Sequence, residues 1–311
     1  MKVVFFGSPA LALPSLNALL SAGHEVKLVV TQPDKPAGRG KKLTSPPVKL
    51  FALEHGLEVI QPEKIRKDEE ALEKIKKAGP EVNVVVAYGQ IIPASIIYYP
   101  RYKSLNVHFS LLPKYRGAAP VAWAILNGDR FTGVTIMQLN EKMDEGPILA
   151  REMVEILPRE NTQELETRLS YLGAELLIKT LNQIDSLTPV EQDHSQATYA
   201  PKITKEQGKI DWSEPAEVID RKVRAFYPWP GAYTFLNGLR LEILSGQVLP
   251  GLMPEARPGE IVRVDKAGLY VRCGGGNLYL IEKIKPEGKK EMTAYAFSLG
   301  NKISTGAFFN F

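Results

Sequence analysis

Cysteine is almost missing from these 311 residues: Cys273 stands alone. One cysteine permits no intramolecular disulfide and argues against a thiolate metal site, which fits a reducing cytosol. Histidine is nearly as scarce, with four residues and no H-E-x-x-H pairing, so a zinc hydrolase has no ligand set to draw on. No apolar run approaches a membrane span, and Met1 to Gly7 holds too short an apolar stretch for a signal peptide, so no membrane partner is expected. The first strand-to-helix turn reads Gly7-Ser8-Pro9 with no G-x-G-x-x-G, which removes the glycines a pyrophosphate needs and speaks against a nicotinamide cofactor. A G-x-S-x-G elbow is also lacking, so covalent catalysis by serine has little support.

What remains is ordinary for a globular protein: 44% hydrophobic and 24% charged residues, in a chain long enough for two cores. The opening alternates strand and helix. Val3–Phe6 reads as a buried strand, Leu11, Leu16, Leu19 and Leu20 mark a helix ending near Gly23, and Glu25–Thr31 supplies the next strand. Further strands are expected at 57–60, 82–87, 104–110, 133–139 and 148–156, with helices at 47–55, 68–78 and 119–126. This order predicts an α/β, Rossmann-like, mostly parallel sheet. Asn161 and Glu164 form a capping-box pattern ahead of Leu165, Leu169, Leu172, Leu176 and Leu181, the stripe of a long closing helix. Beyond it the chain turns polar and irregular. The expected division is 1–188, a linker at 189–208, and 209–311, where short β runs between Gly and Pro turns predict a smaller β-barrel.

Charge is uneven. The net excess is +4 overall, and the stretch from Gln32 to Lys49 alone holds Lys35, Arg39, Lys41, Lys42 and Lys49 against Asp34. From Lys209 onward 14 Lys/Arg face 11 Asp/Glu. A loop from Pro33 to Pro47 without structure of its own, together with the second domain, could meet a polyanion; a solvated lysine-rich surface is the plain alternative.

The chemistry concentrates in Ser104–Gly117. Asn106, His108 and Ser110 alternate with Leu105, Val107 and Phe109, so the three polar side chains should share one strand face. Asn106, His108 and Asp144 fall at or beyond strand ends, where open α/β sheets bind ligands. A carboxylate beside an imidazole orients it, and an amide with an imidazolium makes a donor pair for a developing oxyanion. That is equipment for attack on a carbonyl by a nucleophile the substrate brings. Glu141 and Glu145 are alternative carboxylates; Met143 reads as packing. Phe226-Tyr-Pro-Trp-Pro-Gly231 reads as domain-joint packing rather than a base-stacking platform.

Asn106-Val-His108, Ser110-Leu-Leu-Pro113 and the aspartate 36 residues after the histidine resemble the 10-formyltetrahydrofolate-dependent formyltransferases. Ala87-Tyr-Gly-Gln-Ile-Ile-Pro93 is similar to that family's folate segment. Lys35–Lys42, Pro113–Pro120, Tyr199–Ile203, Gly208–Trp212 and Arg224–Gly231 resemble the branch acting on methionyl-tRNA. The resemblance implies formyl transfer to methionine on initiator tRNA, with 10-formyltetrahydrofolate as co-substrate and no metal. It implies Asn106, His108 and Asp144 as the catalytic set, and Ser110, Leu111, Leu112, Pro113, Tyr88 and Gly89 at the folate. It further implies Arg39, Lys41 and Lys42 on tRNA phosphates, an OB-like barrel, and a cytoplasmic monomer. Where many relatives have Gly-Leu-Asp-Thr-Gly, this chain reads Lys142-Met-Asp-Glu-Gly146. The rival readings are a formyltransferase for a small amine, such as glycinamide ribonucleotide or an amino sugar nucleotide, and a tRNA-binding module without catalysis.

Overall fold

Four consecutive apolar residues, Val3 to Phe6, are fully buried and form the centre of β1 (Lys2–Gly7). The chain turns through a 3-10 segment into α1 (Leu13–Ser21) and returns as β2 (Glu25–Val30), parallel to β1. The computed structural model describes residues 1–37, 42–250 and 255–310. Contacts divide the chain into two units, the first comprising Met1–Pro120, Phe131–Val154 and Glu166–Ala200.

The loop expected to lack structure holds a ribbon, β3 (Lys35–Ala37) against β4 (Lys42–Thr44). Its base is clamped: Lys49, Ser45 and Gln61 all donate to Asp34. The hydrogen bond from Lys49, ahead of that from Gln61, holds this carboxyl down at about 2. Then follow α2 (Pro47–Glu54), β5 (Val59–Ile60), α3 (Glu69–Lys77), β6 (Val82–Val86), α4 (Ala94–Ile97), β7 (Ser104–His108) and the short β8 (Arg116–Gly117). After α5 (Pro120–Leu126) come β9 (Phe131–Gln138), β10 (Ile148–Glu155), α6 (Thr162–Asn182) and β11 (Tyr199–Ala200). The main sheet runs β10, β9, β7, β6, β1, β2, β5. Its pairs are parallel from β5 to β7, and β9 is antiparallel to β7. The sheet is thus the expected mostly parallel, Rossmann-like one.

Helix α6 decides which face of β7 is free. Its apolar stripe is buried at Leu165, Leu169, Leu176, Leu177 and Leu181. At Gly173 it comes so close that a Cβ would meet Val107 Cγ1 at 2.8 Å. The apolar side of β7 is therefore sealed by the helix, which leaves the Asn106/His108 side for chemistry.

The residues read as the opening of a linker, 190–200, belong to this unit by their contacts. Val190 bridges Ile148, Gln192 is 5% exposed, and β11 pairs in parallel with β8.

The second unit gathers Val121–Arg130, Glu155–Leu165 and Pro201–Phe311. Its strands are β12 (Ala232–Leu236), β13 (Leu239–Leu249), β14 (Ile261–Asp265), β15 (Gly268–Arg272), β16 (Leu278–Pro286), β17 (Met292–Thr293) and β18 (Phe309–Asn310). They pair antiparallel in the order β14, β15, β16, β13, β12, β18, with β17 on β16. The two ends of that order meet at the Glu260–Phe308 bridge, where Ile261 N–H donates to Ala307 O and Phe309 N–H to Gly259 O. The sheet closes, as the expected β-barrel requires. Helices α7 (Ala216–Ala225) and α8 (Ala294–Asn301), which the β-rich reading passed over, add Ile219, Val223 and Phe297 to a core around Trp212 and Tyr279.

Cys273 lies in this core, and burial pushes its thiol up to about 12. The native protein is expected to be inert to a thiol reagent near pH 8 and to release one equivalent per chain on denaturation. Fast native labelling would show that the barrel core opens. Among the described residues no helix is long and apolar enough to cross a membrane.

Candidate active site

Strand β7 ends at His108, so the two-residue alternation stops there. Ser110, expected as the third polar side chain of the face, lies beyond the strand; its hydroxyl donates to Lys114 O at 2.6 Å and its carbonyl accepts from Thr135 Oγ1. Asn106 and His108 remain as the face's polar pair. Asn106 is half-buried, and its carboxamide has no protein partner among the described residues. His108 is 6% exposed, with Nε2 3.0 Å from Tyr115 O. A carbonyl only accepts, so Nε2 carries a proton and Nδ1 is turned the other way.

Nδ1 faces Asp144 Oδ2 at 3.8 Å. Of the three carboxylates in the loop after β9, only Asp144 meets the histidine. Glu141 accepts from the Tyr98 hydroxyl, and Glu145 turns to Arg116, Lys142 and His194. Asp144 Oδ2 also accepts from Gly117 N–H at 2.8 Å, while Oδ1 has no protein partner among the described residues. Met143, read as packing, is 67% exposed.

How Asp144 arrives differs from expectation. Because β9 is antiparallel to β7, with Leu105 opposite Gln138, the carboxyl end of β9 lies at the amino end of β7. Asp144 reaches His108 only because the loop doubles back. Two residues that carry a β-carbon adopt positive φ to make this geometry: Tyr115 (φ 62°), which aims its carbonyl at His108, and Asp144 itself (φ 54°). Such conformations persist where the surroundings hold them.

Those surroundings were not legible as function in the sequence. Arg116, 2% exposed, donates through Nε and Nη2 to Gln192 Oε1 at 3.1 and 2.8 Å. Gln192 Nε2 donates in turn to the carbonyls of Asp144 and Gly146. Tyr115 N–H is taken by Thr198 Oγ1. A polar run in an apparent linker was the only sign.

The residues expected at the folate separate into two kinds. The Tyr88 ring is buried beside Phe6, at 5.5 Å between centroids, and Leu112 is buried with Met137 and Ile148. Leu112 N–H and C=O are used by Thr135 and Arg151. Leu111 and Pro113 are half-buried and Gly89 is exposed. Leu139 packs against both apolar clusters, so the two stretches border one region. Of the residues expected on tRNA, Arg39 and Lys41 lie outside the described residues; Lys42 contributes backbone to β4.

The chain matches the family model "Formyl transferase" over residues 1–181 and "Formyl transferase, C-terminal domain" over 202–302. It is 45% identical to the methionyl-tRNA formyltransferase of Agathobacter rectalis, covering 99% of both chains. With that of Thermodesulfovibrio yellowstonii it shares 46% identity, over 98% of this chain and 97% of the relative. Among solved structures, an N-formyltransferase from Helicobacter canadensis in complex with folinic acid and dTDP-3-aminofucose has the same fold, at 18% identity and a TM-score of 0.67, covering 90% of this chain and 98% of the other.

Proposed function

Since this chain belongs to the formyl transferase family, we propose that Asn106, His108 and Asp144 are the groups with which it performs its reaction. The protein is an enzyme that formylates methionyl-tRNA. Its donor in this reading is 10-formyltetrahydrofolate and its acceptor the amine of methionine on initiator tRNA, in the cytoplasm.

The observation that carries the assignment is an imidazole and a carboxylate held together on the strand face that also bears an unpartnered carboxamide. As the amine attacks the formyl carbon, negative charge gathers on the formyl oxygen. The Asn106 amide is free to donate there. His108 donates from Nδ1, which requires both ring nitrogens to be protonated because Nε2 is already given to Tyr115 O. The 3.8 Å gap to Asp144 exceeds a hydrogen bond and leaves Nδ1 open to the substrate. Asp144 Oδ2 faces the ring as a nearby negative charge rather than a hydrogen-bond partner, the ring being fixed through Nε2, and the free Oδ1 is the atom suited to take the amine proton, directly or through water.

Apolar Leu111 and Pro113 with the backbone at Gly89 would hold the folate ring. Ser110, Leu112 and Tyr88 would shape that wall from behind, since their polar atoms or side chains are used within the protein. Arg39, Lys41 and Lys42 would lie along acceptor-stem phosphates, a role supported by the concentration of basic residues in that stretch. Residues 1–188, with 190–200 packed onto them, would carry the chemistry, 201–208 the connection, and 209–311 the remaining tRNA contacts.

A transfer assay tests this reading, with 10-formyltetrahydrofolate offered methionyl initiator tRNA, glycinamide ribonucleotide or an amino sugar nucleotide. Formylation of the tRNA-borne amine alone is expected. Transfer to a small amine instead would keep the site and discard the acceptor.

A further inference from the structure

We infer that Gln192 is a positioning residue that sets Asp144 against His108; the inference rests on the reading of Asp144 as the site's carboxylate. Asp144 is an unlikely residue to hold itself in place: its backbone is left-handed, a conformation that L-residues with a β-carbon disfavour. Its loop leaves β9 at the far end of β7. Something outside the loop must fix it.

Gln192 meets that need. Its Nε2 donates to Asp144 O at 2.9 Å and Gly146 O at 2.7 Å, the two carbonyls that bracket Glu145. Its Oε1 accepts twice from Arg116. Both amide hydrogens and both lone pairs are thereby used, on a side chain that is 5% exposed. Arg116 extends the hold: Nη1 lies 3.5 Å from Glu145 Oε1, Nη2 is 3.0 Å from His194 Nδ1, and the next residue, Gly117, donates its N–H to the Asp144 carboxylate. Gln192 thus grips the aspartate's carbonyl while the residue after Arg116 grips its carboxylate. A glutamine kept only to fill space would have no reason to spend its donors on this one loop.

Gln192→Glu tests the inference, because it preserves the acceptor for Arg116 but turns an oxygen towards the two carbonyls. With the holoprotein and both natural substrates, kcat is expected to fall roughly tenfold to a hundredfold, the range a small misplacement of a reacting group produces. KM for folate and for tRNA should stay within about twofold, and because an unfolded fraction would also lower apparent kcat at constant KM, rates are taken per folded enzyme, measured by circular dichroism. In an Asp144→Ala background the same substitution should cost nothing further, since Gln192 acts through Asp144. Should Gln192→Glu not fold, Gln192→Asn, which withdraws the amide by one methylene, is measured against the same criteria. Wild-type kcat in the folded variant, or an equal loss with and without Asp144, would overturn the inference. Normal turnover in Asp144→Ala alone would overturn the site reading beneath it, and the clamp with it.

Discussion

Replacement of His108 by alanine is expected to lower kcat by roughly two to three powers of ten, the loss found when one oxyanion donor is removed from a preorganised site. The ring is buried, fixed through Nε2 by Tyr115 and faced by Asp144, so the orientation of Nδ1 is prepaid in the fold rather than found in each encounter. Removal deletes both the donor and the ring that faces the Asp144 carboxylate. Asn106→Ala should cause a loss of similar size through the other donor, and its carboxamide has no protein partner to leave stranded among the described residues. Affinity for tRNA should hardly change in either variant, because neither residue belongs to the basic stretch. Single-turnover rates with saturating folate, alongside equilibrium tRNA binding, check both halves. A variant that turns over near the normal rate would remove its residue from the mechanism; one that loses tRNA binding as well would point to misfolding.

Gly146→Ala is the second large effect, and it falls on stability. A β-carbon there would stand 1.8 Å from Gln138 O and 3.3 Å from the Met137 side chain. The first of these is a backbone atom at the end of β9, whose Gln138 N–H is bonded to Pro147 O. Neither side can yield by rotating a side chain. The strands must separate locally, breaking that hydrogen bond and shifting the Gly146 carbonyl that Gln192 holds. A loss of roughly 3 kcal/mol or more is expected, as for other severe backbone clashes. For a unit of this size it should lower the thermal midpoint by roughly 6–12 °C. Because Asp144 is two residues away, the fraction that folds should also be slow. Circular dichroism melts beside transfer rates test this; a midpoint within about 2 °C of the parent would mean that the loop has more room than its geometry shows.

These effects also separate what is local in this protein from what is not. The Rossmann-like sheet, the long leucine-striped helix and the β-rich second half follow from periodicity, which depends only on neighbours in sequence. Asn106 and His108 are legible for the same reason: a spacing of two puts them on one strand face wherever the strand lies. Helix α7 carried its signal too, with Ala216, Ile219 and Val223 buried at helical spacing, though the surrounding Gly and Pro turns favoured a purely β reading. Ser110 shows the limit of such reasoning, since alternation says which face a residue takes but not where the strand ends.

Sequence by itself, through residue spacing and motif resemblance, determined the fold class and pointed to Asn106, His108 and, by resemblance, Asp144 as the candidate groups. Only the tertiary structure decided that Asp144, rather than Glu141 or Glu145, faces the histidine, because three acids in one loop differ by backbone direction and not by type. It likewise decided that Arg116 and Gln192, 76 positions apart, hold that backbone. The barrel closes at Glu260 and Phe308 for a similar reason. Contacts between distant residues depend on where the packed chain brings them, and no local periodicity encodes that.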